Sequence, residues 1–98
     1  DLSKPALTVA RGNARRLGLR NVRFHLGDWF GALPAPARFA VIVSNPPYVT
    51  PDELAGGDRA LGFEPRLALL GGRDGLAAYR AILAGAPAHL VAGGTLLL

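Results

Sequence analysis

Phe39-Ala40-Val41-Ile42-Val43-Ser44-Asn45-Pro46-Pro47-Tyr48 is the stretch that decides the fold. Its first five residues are continuously apolar. A run without polar alternation suits a strand buried on both faces of a parallel sheet. Its last four residues end that strand, because two prolines cannot continue a central ladder. A proline also biases the residue before it, here Asn45, toward an extended backbone. The Asn45 side chain offers one acceptor oxygen and two donor hydrogens. With the Pro46 carbonyl beside it, two acceptors can face one flat –NH2 group, and Tyr48 supplies an aromatic wall. A rigid turn is the plainer reading of Pro-Pro alone. The asparagine before it and the aromatic after it favour a binding motif.

Upstream, Ser3 is a good N-cap and Pro5 sits in a first turn, where its missing N–H costs little. Leu7, Ala10, Ala14 and Leu17 share one helical face, Arg15 and Arg16 suit the last turn, and Gly18 ends the helix. These signals predict a helix over roughly residues 4–17. Val22, Phe24 and Leu26 alternate with Arg23 and an outward His25, which predicts a strand. Gly27-Asp28-Trp29-Phe30 follows it, and residues 31–38 read as a loop.

Downstream, Thr50-Pro51-Asp52-Glu53 has the form of a capping box before a short helix. Residues 56–72 read as a loop holding the apolar run Leu67–Leu70, with Glu64 and Arg66 as a candidate pair. Asp74 is the expected cap of a second long helix, with Leu76, Tyr79, Ile82, Leu83, Ala86 and Leu90 inward. Pro87 should kink or restart it. His89 falls near its C-terminus. Gly93-Gly94 should break it, before Thr95–Leu98 begins another buried strand. The order helix, strand, strand, helix, strand argues for an α/β protein with a mainly parallel sheet.

The chain has 98 residues, half of them apolar, and a net charge of +4. That is enough for one small domain. Each apolar run is interrupted by Arg, Asp, Gly or Pro, so none spans a bilayer. Asp1-Leu2-Ser3-Lys4-Pro5 has no signal-peptide pattern. The absence of cysteine excludes disulfides, thiolate metal sites and cysteine nucleophiles, and fits a cytoplasmic location. Two histidines give a metal site little support. The charge comes almost wholly from scattered arginines, which reads as a solvated surface. The chain opens on Asp1 directly before a helix start and stops inside an apolar run, which suggests an internal fragment.

In an open α/β sheet, ligands bind at the C-terminal ends of strands. Asp1, Asp28-Trp29 and Asn45 to Tyr48 are the candidates at such ends. On pattern alone, Asp1 is a helix-flanking charge, Asp28 a turn former and Trp29 more often core than ligand wall. The glycine pairs at 56–57, 71–72 and 93–94 lack a phosphate-loop ending and read as turns.

Asn45-Pro46-Pro47-Tyr48 resembles the motif of S-adenosylmethionine methyltransferases that act on exocyclic or amide nitrogens. Gly27-Asp28-Trp29-Phe30, Val41 to Val49, Phe63-Glu64-Pro65-Arg66-Leu67-Ala68-Leu69, Gly71-Gly72, Asp74-Gly75-Leu76 and Tyr79-Arg80 together look like the release-factor glutamine methyltransferases. The resemblance covers essentially the whole chain. It implies a Rossmann-like class I methyltransferase fold, incomplete here. The glycine-rich cofactor loop, an N-terminal helical domain and the last strands would lie outside residues 1–98.

The resemblance also implies roles. Asp1 would bind the ribose hydroxyls of S-adenosylmethionine, Asp28 would sit near its adenine amino group, and Trp29 would pack on the adenine. Asn45 would touch both the cofactor's methyl region and the substrate amide. Pro46, Pro47 and Tyr48 would complete the clamp, with Asn45 and Pro46 carrying the catalysis. The implied partner is a class I peptide-chain release factor and the implied product S-adenosylhomocysteine. Two readings compete with it: a nucleic-acid methyltransferase acting on a base amino group, and a non-catalytic methyltransferase-like binding module.

Overall fold

The computed structural model describes residues 1–57 and 62–98. The chain divides into two compact units, Asp1–Ala37 and Arg38–Leu98. Together they make an α/β protein with a small two-stranded parallel sheet.

The first unit is built on helix α1, Lys4–Arg16. Ser3 caps it by accepting the Ala6 N–H at 3.2 Å, and Pro5 occupies the first turn. At the far end, Gly18 takes φ +67°. The Leu19 N–H then turns back to the Ala14 carbonyl at 2.9 Å, a glycine-assisted stop. Leu7 and Ala14 are buried as the spacing predicts, whereas Leu17 is exposed. Trp29–Ala32 form a 3-10 turn.

The strand expected over residues 22–26 does not form: no ladder includes them. Alternating side chains favour extended backbone, but a strand also needs a neighbour for its N–H and C=O groups. The stretch is instead held at its end. The Asp1 amino group donates to the His25 carbonyl at 2.9 Å, and the Gly27 N–H donates to the Asp1 carbonyl at 3.0 Å. His25 is half-buried rather than fully outward.

The second unit contains β1 (Phe39–Val43), α2 (Pro51–Gly56), α3 (Arg66–Leu69), α4 (Ala77–His89) and β2 (Leu90–Leu97). β1 and β2 pair in parallel, with Val41, Ile42 and Val43 opposite Thr95, Leu96 and Leu97. The strand at 39–43 is as predicted, but its burial on both faces is not: Val41 and Val43 are 53% and 71% exposed. Two strands cannot cover each other's faces.

Several helix expectations also shift. The apolar run at 67–70 closes a short helix instead of lying in a loop. Asp74 does not cap α4 directly; it accepts the Leu76 N–H at 3.1 Å, and Leu76 is the N-cap. The buried stripe of α4 is Ala78, Ile82 and Ala86, four residues apart, while Leu76 and Leu83 are exposed. Pro87 does not restart the helix, which runs on through it to His89. Gly93-Gly94 lie within β2 rather than before it. They sit where the register slips between Phe39↔Leu90 and Val41↔Thr95, and Gly93 takes φ +75°. The helix therefore ends by passing straight into strand at Leu90, and the irregularity in the ladder falls at the glycines. Among the described residues, Glu64 and Arg66 do not pair; the ion pair found is Arg80–Asp74.

Ile82 is 2% exposed and Leu83 56% exposed. Ile82→Ala should therefore cost about 2–4 kcal/mol, and Leu83→Ala much less. Urea unfolding of the two variants checks this; equal shifts in midpoint would refute the assignment of the buried stripe.

Candidate functional site

The second unit carries an open cleft of about 420 Å³ lined by Asn45 to Val49, Glu53, Ala68 and Leu69. Its geometry follows from the two prolines. The ladder hydrogen bonds of β1 end with the Ser44 N–H, which donates to the Leu97 carbonyl at 3.0 Å. Pro46 and Pro47 have no N–H to continue it. The chain pairs again only at Val49. The Val49 N–H donates to the Leu69 carbonyl and the Gly71 N–H donates to the Val49 carbonyl, both at 2.9 Å, forming a parallel bridge between Val49 and Leu70.

Between these two anchors Pro46 is buried, Asn45 is exposed and Tyr48 is 59% exposed. The Asn45 amide hydrogen-bonds to no described residue, so its acceptor and donors remain open to a ligand. Tyr48 presents ring surface to solvent beside it.

The capping box fixes the next residues. Thr50 Oγ1 accepts the Glu53 N–H at 3.3 Å, and Glu53 Oε2 accepts the Thr50 N–H at 2.9 Å and its hydroxyl at 2.8 Å. These hydrogen bonds from Thr50, the backbone one first, hold the Glu53 carboxyl below its ordinary value. Glu53 is thus an anion at neutral pH, with one oxygen engaged and its side chain on the cleft. Sequence reading found Glu53 only as a capping residue. Ala68 and Leu69 gave no signal beyond an apolar run, because their place in the lining depends on the bridge to Val49.

The turn behind the clamp is also fixed. Asp74 receives two hydrogen bonds from the Arg80 guanidinium and one from the Leu76 N–H. The Arg80 hydrogen bonds, with the Leu76 N–H next, hold the Asp74 carboxyl down to about 2 from an ordinary 3.8.

Asp1, Asp28 and Trp29 lie in the first unit. Asp1 is tied to the chain just before Asp28 by its bonds to His25 and Gly27. Its Oδ1 accepts the Ser3 N–H at 2.7 Å, leaving the other carboxylate oxygen free to accept. Trp29 is 42% exposed and is held at φ +41°, an uncommon conformation for a bulky residue. The unit therefore brings Asp1 close to the segment bearing Asp28 and Trp29, while Asn45, Pro46, Pro47 and Tyr48 stand together in the second unit. Among the described residues no group of three or more His, Asp or Glu side chains gathers as a metal site.

Comparison with known proteins gives a consistent likeness. The chain is 55% identical, over 98% of its length, to a release factor glutamine methyltransferase of Bordetella pertussis. It is 52% identical over its whole length to one from Cereibacter sphaeroides, and 46% identical over its whole length to one from Neisseria gonorrhoeae. It spans about 35% of the length of these curated relatives. The resemblance drawn from the motifs thus extends along the entire chain. No protein-family model matches the chain. No solved structure matches it either.

A carboxyl held low in the folded state contributes stability that is present above its ordinary value and lost as pH falls through the folded value. For Asp74 that window runs from about 4 down to about 2. Asp74→Asn should lower the melting temperature at pH 6 and flatten its fall between pH 4 and 2. High salt should shrink the difference, since the pair is exposed. Thermal unfolding across pH checks this; an unchanged acid slope in the variant would refute it.

Proposed function

We propose that this chain is part of the catalytic domain of an enzyme that methylates the side-chain amide nitrogen of a glutamine in a class I peptide-chain release factor. The methyl donor is S-adenosylmethionine, and the domain has the Rossmann-like class I methyltransferase fold, with its glycine-rich cofactor loop outside residues 1–98. The observation that carries the reading is the exposed, unengaged Asn45 amide, set between two backbone anchors on the rim of a cleft. The full-length likeness to release factor glutamine methyltransferases supports it.

On this reading Asp1 holds the ribose hydroxyls, Asp28 takes the adenine amino group and Trp29 packs on the adenine. When bound, the cofactor supplies an electrophilic methyl group on a sulfonium and leaves as the thioether S-adenosylhomocysteine. An amide nitrogen is a poor nucleophile, because its lone pair is delocalised into the carbonyl. Asn45 Oδ1 and the Pro46 carbonyl accept its two N–H bonds and keep the nitrogen in line. As positive charge builds on nitrogen, these fixed dipoles stabilise it without reorganising. The Glu53 carboxylate adds negative charge to the same cleft. The nitrogen then releases one proton to solvent, so no strong base is required.

Charge placement separates this reading from a nucleic-acid substrate. Residues 38–98 contain five arginines and five carboxylates, so the unit bearing the clamp has no net charge. A duplex or strand binder needs a positive field to neutralise phosphates. The excess charge lies in residues 1–37, with Lys4 and Arg11, Arg15, Arg16, Arg20 and Arg23 against Asp1 and Asp28. The cytoplasm, where release factors act, is the matching location. No described helix is long and apolar enough to cross a membrane.

Asn45→Ala in the enzyme carrying this chain should lower turnover about 100-fold or more. Cofactor affinity should change only a few-fold. Labelled-methyl transfer to a release factor, run beside tRNA, rRNA and DNA, together with calorimetry of S-adenosylhomocysteine binding, measures both. Near-normal turnover in the variant, or preferred methylation of a nucleic acid, would sink the assignment.

A further inference from the structure

We propose that Gly75 is a positioning residue for the substrate clamp, setting the place of the Tyr48 backbone and with it the alignment of Asn45 and Pro46. The inference rests on the reading of Asn45–Tyr48 as the amide site.

Gly75 is buried and takes φ +74°. A Cβ placed there would lie 2.5 Å from the Tyr48 carbonyl oxygen, with Thr50 Cγ2 at 3.7 Å. No real side chain accepts a carbon so close to a carbonyl oxygen, and the obstructing atom is backbone. Gly71 closes the same contact from the other side. Its Cβ would lie 2.7 Å from both the Pro47 carbonyl oxygen and Tyr48 Cα. The turn before α4 and the clamp therefore meet backbone to backbone, without a side chain between them.

The turn is itself rigidly held. The Ala77 N–H donates to the Gly71 carbonyl at 2.8 Å, the Gly71 N–H donates to Val49, and Asp74 ties Leu76 to Arg80. A side chain at position 75 would drive the Tyr48 carbonyl away from a turn that does not yield. Pro46 and Pro47 make the preceding backbone stiff, so the displacement passes toward Asn45 instead of dissipating.

Backbone conformation alone does not distinguish Gly75. Gly93 has nearly the same φ, +75°, yet a Cβ there meets nothing within 4 Å. Gly93→Ala thus imposes the same left-handed strain without touching the clamp, and serves as the matched control.

The test compares Gly75→Ala, Gly75→Asn, Gly93→Ala and Asn45→Ala in the enzyme carrying this chain. Asparagine tolerates the left-handed backbone better than alanine, so it keeps the experiment open should Gly75→Ala misfold. Steady-state methyl transfer to a release factor separates kcat from KM for the cofactor. Amide NMR reads Tyr48, Val49 and Gly71. For both Gly75 variants, kcat should fall about 10- to 100-fold with cofactor KM unchanged, and the three amides should shift. Gly93→Ala should leave kcat within a few-fold and those amides in place. Gly75 variants that match Gly93→Ala in kcat and leave the amides unmoved, while Asn45→Ala is inactive, overturn the inference. If Asn45→Ala is also active, the amide-site reading is what fails.

Discussion

Two adjacent prolines without N–H groups are the constraint on which the second unit depends. They force β1 out of its ladder after Ser44 and leave a gap until Val49 finds Leu69 and Gly71. Backbone in such a gap is normally a liability, since unpaired polar groups cost free energy when buried. Here Asn45 is exposed, and its amide is available to something other than the protein. Rigidity and availability usually oppose each other. The prolines supply both at once, because a stiff ring limits motion by covalent geometry and uses no hydrogen bond to do so.

The flanking structure converts that stiffness into position. Upstream, the Ser44 bond ties this segment to β2, where Thr95 to Leu97 pair with Val41 to Val43. Downstream, the bridge at Val49 and the capping box at Thr50 fix the exit within two residues. The capping box is local chemistry with a distant effect. By engaging one Glu53 oxygen it holds the carboxylate on the cleft and keeps it ionised.

What the sequence made legible is what short-range chemistry decides. Helix α1 has Ser3, Pro5, Arg15, Arg16 and Gly18 all within one helix length, and its bounds emerge within a residue. The box at Thr50–Glu53 and the end of β1 before Pro46-Pro47 are equally local. Residues 22–26 misled because alternation describes a side-chain pattern, while a strand is a pairing. Pro87 does not divide its helix because a helix can absorb a proline near its end, where little ladder remains beyond it. Leu69 and Gly75 were illegible as site residues for a related reason. Each acquires its role only when the Val49 bridge folds residues 69–75 against the clamp. Asp74 signalled a helix start but not what the turn before that helix touches.

On the proposed reading, the character of the acceptors bears on what the cleft would select. A carboxylate pair would favour a cationic amine, whose positive charge it could neutralise. Asn45 and the Pro46 carbonyl are neutral dipoles. They reward a planar group with two N–H bonds and offer little to a tetrahedral ammonium, which must lose its hydration to enter. Among the described residues lining the cleft, the carboxylate of Glu53 already has an oxygen engaged by two hydrogen bonds from Thr50, which blunts its pull on a cation. On the proposed reading, an uncharged amide enters at low desolvation cost. The dipoles become most favourable only as charge develops on its nitrogen, so discrimination falls on the transition state rather than on the bound substrate.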